Sequence, residues 1–252
     1  MNKPIKISAV SYLNSRPFIH GIEASEDLKN YHLQLDTPSV CAQRLINDEA
    51  DVGLIPVASI PQLKYAEILT EYCIGADGPV DSVMLYSEAP LQKIKKIVLD
   101  YQSKTSVALV QLLSKKHWKI NPQFVHAEKG YESNLNGTTA GIVIGDRTFD
   151  LKRRFKYKYD LAEEWKKFTG LPFVFACWVA NKKLPDDFKE NFNTAIRQGV
   201  ENRRAVFAEL QSEYPQVNIE EYLTTRISYN FDDKKKQALN LFLNYVKEFE
   251  LV

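Results

Sequence analysis

Ile5-Lys6-Ile7-Ser8-Ala9-Val10-Ser11-Tyr12-Leu13-Asn14-Ser15-Arg16-Pro17 starts as an apolar, strand-like run and ends in small polar side chains that lead into a helix. A strand finished in this way, with a helix start behind it, leaves hydroxyl, amide and backbone N–H groups facing one crevice. The expectation is an anion-binding cleft. The same pairing of strand and polar helix start recurs at Thr37-Pro38-Ser39 and at Ser103-Lys104-Thr105-Ser106.

Working outward, Pro17 suits a first helical turn, and Phe18, Ile19 and Ile22 supply its apolar face. His32 to Leu35 alternates as a strand, and a helix opened by Pro38 carries Val40, Leu45 and Ile46 as its apolar positions. Asp51-Val52-Gly53-Leu54-Ile55-Pro56 is a nearly continuous apolar run, the pattern of a strand covered on both faces. Alternating strands and helices predict a parallel, doubly wound sheet. Another strand spans about 66–74, the turn Ala76-Asp77-Gly78-Pro79 follows, and Ser82 to Ser87 is extended. After Pro90 the alternation restarts: strands at 97–99, 122–126 and 140–144, and a helix over 105–117. Helix 161–168 stops at Gly170 and Pro172, Phe173 to Ala180 is the longest strand candidate, and helices near 186–211, 218–226 and 232–249 close the chain.

The restart predicts two α/β lobes forming a clamshell. One lobe would comprise 1–85 and 179–252, with the C-terminal helices returning to it. The other would comprise 86–178. Extended segments near 82–87 and 173–179 would act as hinge strands. In such sheets ligands bind beyond the carboxyl ends of the strands, here between the lobes.

At 252 residues and 44% hydrophobic, the chain can bury a large core. Lys plus Arg (33) almost cancels Asp plus Glu (32), so no global field favours nucleic acid or a cationic partner. Met1 to Lys6 leads straight into strand pattern with no leader-like segment, and no later run is long enough to span a bilayer; a cytoplasmic protein with no membrane partner is expected. Cys41, Cys73 and Cys177 lie among apolar neighbours without metal-type spacing and read as buried free thiols. His20, His32, His117 and His126 form no cluster, so no metal is expected, and no P-loop or GxGxxG points to a cofactor.

A helix cap would require only one polar residue, whereas Ser11, Asn14 and Ser15 lie together, with Arg16 free to pair either with a ligand or with a surface carboxylate. Thr105 and Ser106 offer adjacent hydroxyls, and charge-assisted bonds from such groups are worth about 1.5–3 kcal/mol each. The helix terminus behind them adds about 0.3–1 kcal/mol. Ser82 stands where the chain leaves the first lobe. Asp146 follows the 140–144 strand, placed either to cap the next helix or to face the cleft. No Ser/His/Asp spacing or marked carboxylate pair is present, so an enzyme here would work by positioning and hydrogen bonding.

The segments Val10 to Pro17, Asp51 to Val57, Ala76 to Val83, Ser103 to Leu109, Ile144-Gly145-Asp146, Glu163-Glu164-Trp165 and Thr169 to Ala176, in this order, resemble the chorismate dehydratases of the futalosine route to menaquinone. Together these segments are specific and cover about residues 5 to 180; the C-terminal helices carry little of the signal. The family pattern often has Thr where this chain has Ser15, which keeps the hydroxyl. The resemblance implies a type 2 periplasmic-binding-protein-like fold used as a hydro-lyase without a cofactor. Its substrate, chorismate, is a dicarboxylate converted to 3-[(1-carboxyvinyl)oxy]benzoate and water. It also implies Asn14 and Ser82 as the residues nearest the chemistry and Ser11, Thr105 and Ser106 as ligand contacts. Arg16 and Asp146 complete the candidate set, and the base is either a substrate carboxylate or Asp146. Two other readings stand beside it: a non-catalytic receptor for a small carboxylate, and the related dihydroxynaphthoate synthase of the same pathway. Oligomeric state has no signature in the sequence.

Overall fold

The computed structural model describes residues 3–151 and 154–251. In the first lobe the chain forms β1 (Ile5–Val10), α1 (Arg16–Ala24), β2 (Tyr31–Asp36), α2 (Pro38–Ile46), β3 (Val52–Pro56) and β4 (Glu67–Ala76). The second lobe contains β5 (Val83–Ser87), β6 (Lys96–Leu99), α3 (Lys104–Leu113), β7 (Gln123–His126), β8 (Thr139–Ile144), α4 (Arg147–Leu151), β9 (Tyr157–Asp160) and α5 (Leu161–Thr169). The chain then returns through β10 (Phe173–Ala180), α6 (Asp186–Glu201), α7 (Phe207–Glu213), α8 (Ile219–Glu221), β11 (Ser228–Asn230) and α9 (Asp233–Phe249).

Among the described residues the strands form a six-stranded sheet, β11-β4-β10-β3-β1-β2, and a five-stranded sheet, β7-β6-β8-β5-β9. The parallel arrangement expected from the alternation holds for β1 with β2 and β3, and for β6 with β7 and β8. Both sheets are nevertheless mixed, because β10 runs antiparallel to β3 and β4 and β5 antiparallel to β8 and β9. Topology explains this. Strands of βα units run toward the cleft, whereas β5 and β10 each begin just after the chain has crossed it and run away.

The two stretches expected as hinge strands are therefore interior members of sheets: β5 lies between β8 and β9, and β10 between β4 and β3. The crossings are 77–82 and 170–172, so sheet membership moves 83–85 to the second lobe and 173–178 to the first. Asp160 holds the first crossing. Its carboxylate accepts from the N–H groups of Val80 and Asp81 at 2.8 and 2.7 Å and from those of Ala162 and Glu163 at 3.0 and 3.2 Å, so it also caps α5. The second is held by Trp165, whose indole donates to the Pro172 carbonyl at 3.0 Å. The Trp165 ring meets Phe173 and Phe242 edge-on, which packs α5, β10 and α9 into one aromatic cluster.

On α2 the buried face is Pro38, Cys41, Ala42 and Leu45, while Val40, expected inside, is 40% exposed. The long helix expected over 186–211 breaks at Asn202, giving α6 and α7. Gly21 of α1 and Gly199 of α6 face each other so closely that a Cβ on either would collide with the Ala195 or Pro17 carbonyl oxygen. The three cysteines are free and buried, as expected, and no described helix is long and apolar enough to cross a membrane.

Candidate functional site

Strand ends and helix starts from both lobes converge on a cavity of about 50 Å³. Its walls are largely apolar, with Val10, Pro38, Pro56 and Ile74 from the first lobe and Val83 and Ile144 from the second. Into it come Tyr12, Asn14, Ser82, Ser103 and Ser106, and no lysine or arginine is among the described lining residues. A concave apolar site with a few convergent polar groups is the usual form of a small-molecule site.

Asn14 sits in the single turn between β1 and α1, 9% exposed. Ser15 donates to its side-chain oxygen at 3.2 Å, and its amide NH₂ lies in hydrogen-bond reach of the Tyr222 phenol beside the cavity. Tyr229 anchors the same residue by donating to its backbone carbonyl at 2.8 Å. Ser82, 1% exposed, accepts from the Tyr222 phenol at 2.7 Å. At the start of α3, Ser103 is the N-cap: its oxygen accepts from the Ser106 N–H at 3.3 Å and the Ser106 hydroxyl at 3.2 Å. The first turn of that helix presents its N–H groups and the positive end of its dipole to the same side.

Of the residues picked out by sequence, Asn14, Ser82 and Ser106 line the cavity. Ser11 is exposed, with its N–H on the Asp36 carbonyl, and lies outside the lining set. Arg16 is paired with Glu209. Thr105 points the other way along the helix start and accepts from the Ala58 N–H at 3.1 Å, tying α3 to the first lobe. Asp146 does not cap the helix beside it and is not among the described residues lining the cavity. From the second lobe it reaches back to accept the Leu13 N–H at 3.2 Å, and the Tyr214 hydroxyl donates to it at 3.0 Å. Burial raises its carboxyl to about 6, against the lowering effect of those two bonds.

Tyr12, which sequence reasoning passed over although it stands inside the opening motif, also bridges the lobes. Its hydroxyl bonds Gln102, and its ring lies where a Cβ on Gly145 would sit, 2.6 Å away. Gly145 has φ +66, so both backbone conformation and space favour glycine there. Burial foremost, and then Asp100, holds the Tyr12 phenol well above its ordinary pKa, so it stays neutral. Further cross-lobe bonds run from the Ser39 N–H to the Gln102 carbonyl at 3.0 Å and from the Lys104 ammonium to Gln62 at 2.8 Å. The lobes are clasped over the cavity. Among the described residues no group of three or more His, Cys, Asp and Glu is placed to hold a metal ion.

Chemically, the arrangement offers short neutral donors and a helix N-terminus within an apolar wall. It can orient a small anionic molecule and stabilise negative charge developing on an oxygen. The chain is 26% identical over 251 residues to the chorismate dehydratase of Thermus thermophilus, covering 91% of this chain and 89% of that one. Its fold is similar to that of a crystallised protein from Archaeoglobus fulgidus, with TM-score 0.78, 13% identity and coverage of 99% and 98% of the two chains. It is also similar to a Candida albicans gene product described as having the generic periplasmic binding protein fold, with TM-score 0.58, 12% identity and coverage of 98% and 95%. A family model described as menaquinone biosynthesis matches residues 5–248, and the chain accordingly belongs to that menaquinone biosynthesis family.

Proposed function

We propose that this protein is a chorismate dehydratase, a hydro-lyase that converts chorismate to 3-[(1-carboxyvinyl)oxy]benzoate and water. The observation that carries the reading is the convergence of neutral polar groups from both lobes, Asn14 from one and Ser82, Ser103 and Ser106 at the edge of the other, on one apolar cavity. The similarity to the Thermus enzyme supports the choice of substrate. In the reaction the ring C3–H bond breaks and its proton passes to a base. The electron pair forms the new ring double bond, and the C4 hydroxyl leaves and is protonated to water. Aromatisation makes the product favourable, so the enzyme has to hold the reactive conformer and stabilise the departing oxygen.

Asn14 and Ser82 take the departing oxygen. The Ser103 hydroxyl, held in place by Ser106, and the free N–H groups at the start of α3 take one carboxylate, while Thr105, Ser11 and Arg16 act outside the cavity. With Asp146 committed to Leu13 and Tyr214, a carboxylate of the substrate itself is the base. Incubation with chorismate is expected to yield the aromatic enol ether. Asn14→Ala is expected to lower kcat by about 100-fold with chorismate affinity retained. Unchanged turnover in that variant removes Asn14 from the chemistry. Binding by the wild type without conversion replaces the enzyme reading with a passive carboxylate receptor.

A further inference from the structure

Three tyrosines of the C-terminal segment end on groups at the cleft: Tyr214 on Asp146, Tyr222 on Ser82 and Tyr229 on the Asn14 carbonyl. Tyr222 differs from the other two because its partner is a side chain that itself lines the cavity. The phenol is 3% exposed, and its ring meets Phe149 edge-on at 5.2 Å, so its direction is set by packing. Burial, the dominant influence, keeps its pKa far above the ordinary value, with the neighbouring Asn14 amide opposing only in part, so the phenol keeps its proton.

A serine hydroxyl has one proton and two lone pairs. With a lone pair of Ser82 occupied by the Tyr222 proton, the Ser82 proton is turned elsewhere, and among the described residues no acceptor meets it. The remaining direction is the cavity. Hydrogen bonds in such a chain also polarise one another, which makes Ser82 a better donor.

We infer that Tyr222 is a positioning residue: by donating to Ser82 it commits the Ser82 hydroxyl to donate into the cavity, toward the oxygen that leaves the substrate. No proton passes to or from Tyr222; the bond orients and polarises. The inference rests on the dehydratase reading and adds a residue from the C-terminal segment of the chain.

Steady-state kinetics with chorismate on Tyr222→Phe, Ser82→Ala and the double variant test it. Tyr222→Phe is expected to lower kcat by about tenfold to a hundredfold, the loss of one directed hydrogen bond, with KM changed by less than about threefold. The double variant is expected to be no slower than Ser82→Ala, because the phenol acts through that serine. Losses that multiply in the double variant, a loss confined to KM, or an unchanged kcat overturns the inference. Should Tyr222→Phe not fold, a fluorinated tyrosine at 222 keeps the shape and donates more strongly. It is expected to raise kcat without moving KM, and an unchanged or lower kcat overturns the inference. A wild type that fails to convert chorismate removes the dehydratase reading and this inference with it, whereas an active wild type with multiplying losses removes only the role of Tyr222.

Discussion

Asp146 is a buried carboxylate whose two oxygens hold a backbone N–H of the opposite lobe and a tyrosine of the C-terminal segment. Burial raises it to about 6, with Glu213 adding to the rise and Arg16 opposing it. Between its unfolded value near 4 and about 6, the folded chain holds a proton that the unfolded chain has released. Stability attributable to this group is therefore present in full below that window and is lost as pH rises through it, by about 2–3 kcal/mol in all. Asp160, also raised to about 6 by burial, acts with the same sign. Urea unfolding from pH 4 to 7 is expected to show a flatter dependence for Asp146→Asn than for the wild type, and equal slopes would remove Asp146 as the titrating group. Asn14, Ser82 and Ser106 were legible in the sequence because their place at a strand end or helix start is a local property. Ser11 and Thr105 share that signature but point elsewhere, and side-chain direction around a first turn is decided by tertiary packing. Tyr222 could not be read, since it meets Ser82 across 140 residues of chain with no pattern linking them.

At the level of elements, the seating of α1 on α6 sets the site. Asn14 lies in the turn that feeds α1, so the depth at which that helix packs fixes where the amide reaches the cavity. Gly21 and Gly199 permit the close approach. Gly199→Ala is expected to force the helices apart, to lower unfolding free energy by about 2–4 kcal/mol, and to weaken turnover by displacing Asn14; a melting temperature within 1 °C of wild type, on a scale where ~1 kcal/mol shifts it by a few degrees, would contradict this. Most strands and helices could be read from apolar periodicity, including β3 and β10, whose residues are buried throughout. The short β9 and β11 could not, because three or four residues carry no resolvable period and are held by their neighbours in the sheet. Val40 was misplaced for a related reason. An apolar residue one position off the buried stripe is indistinguishable in sequence from one on it.

For the whole molecule, the clamshell was legible from the restart of the alternation, whereas the exact crossings were not. An interior strand and a hinge have the same extended, apolar pattern, and which sheet claims β10 depends on partners distant in sequence. That placement governs the order in which the protein can be made. The first sheet needs β10 between β4 and β3, yet β10 leaves the ribosome only after the whole second lobe. The second lobe can thus complete its own sheet during synthesis while the first waits with its middle strand missing. Cys73 and Cys177 are direct partners across β4 and β10, and both are fully buried in the finished chain. A nascent or truncated chain ending at 172 is expected to expose Cys73 to a thiol reagent, and one extended past 180 to regain protection only when the C-terminal segment has docked. Maturation of the cleft is in this sense a late event, completed by the last quarter of the polypeptide to be synthesised.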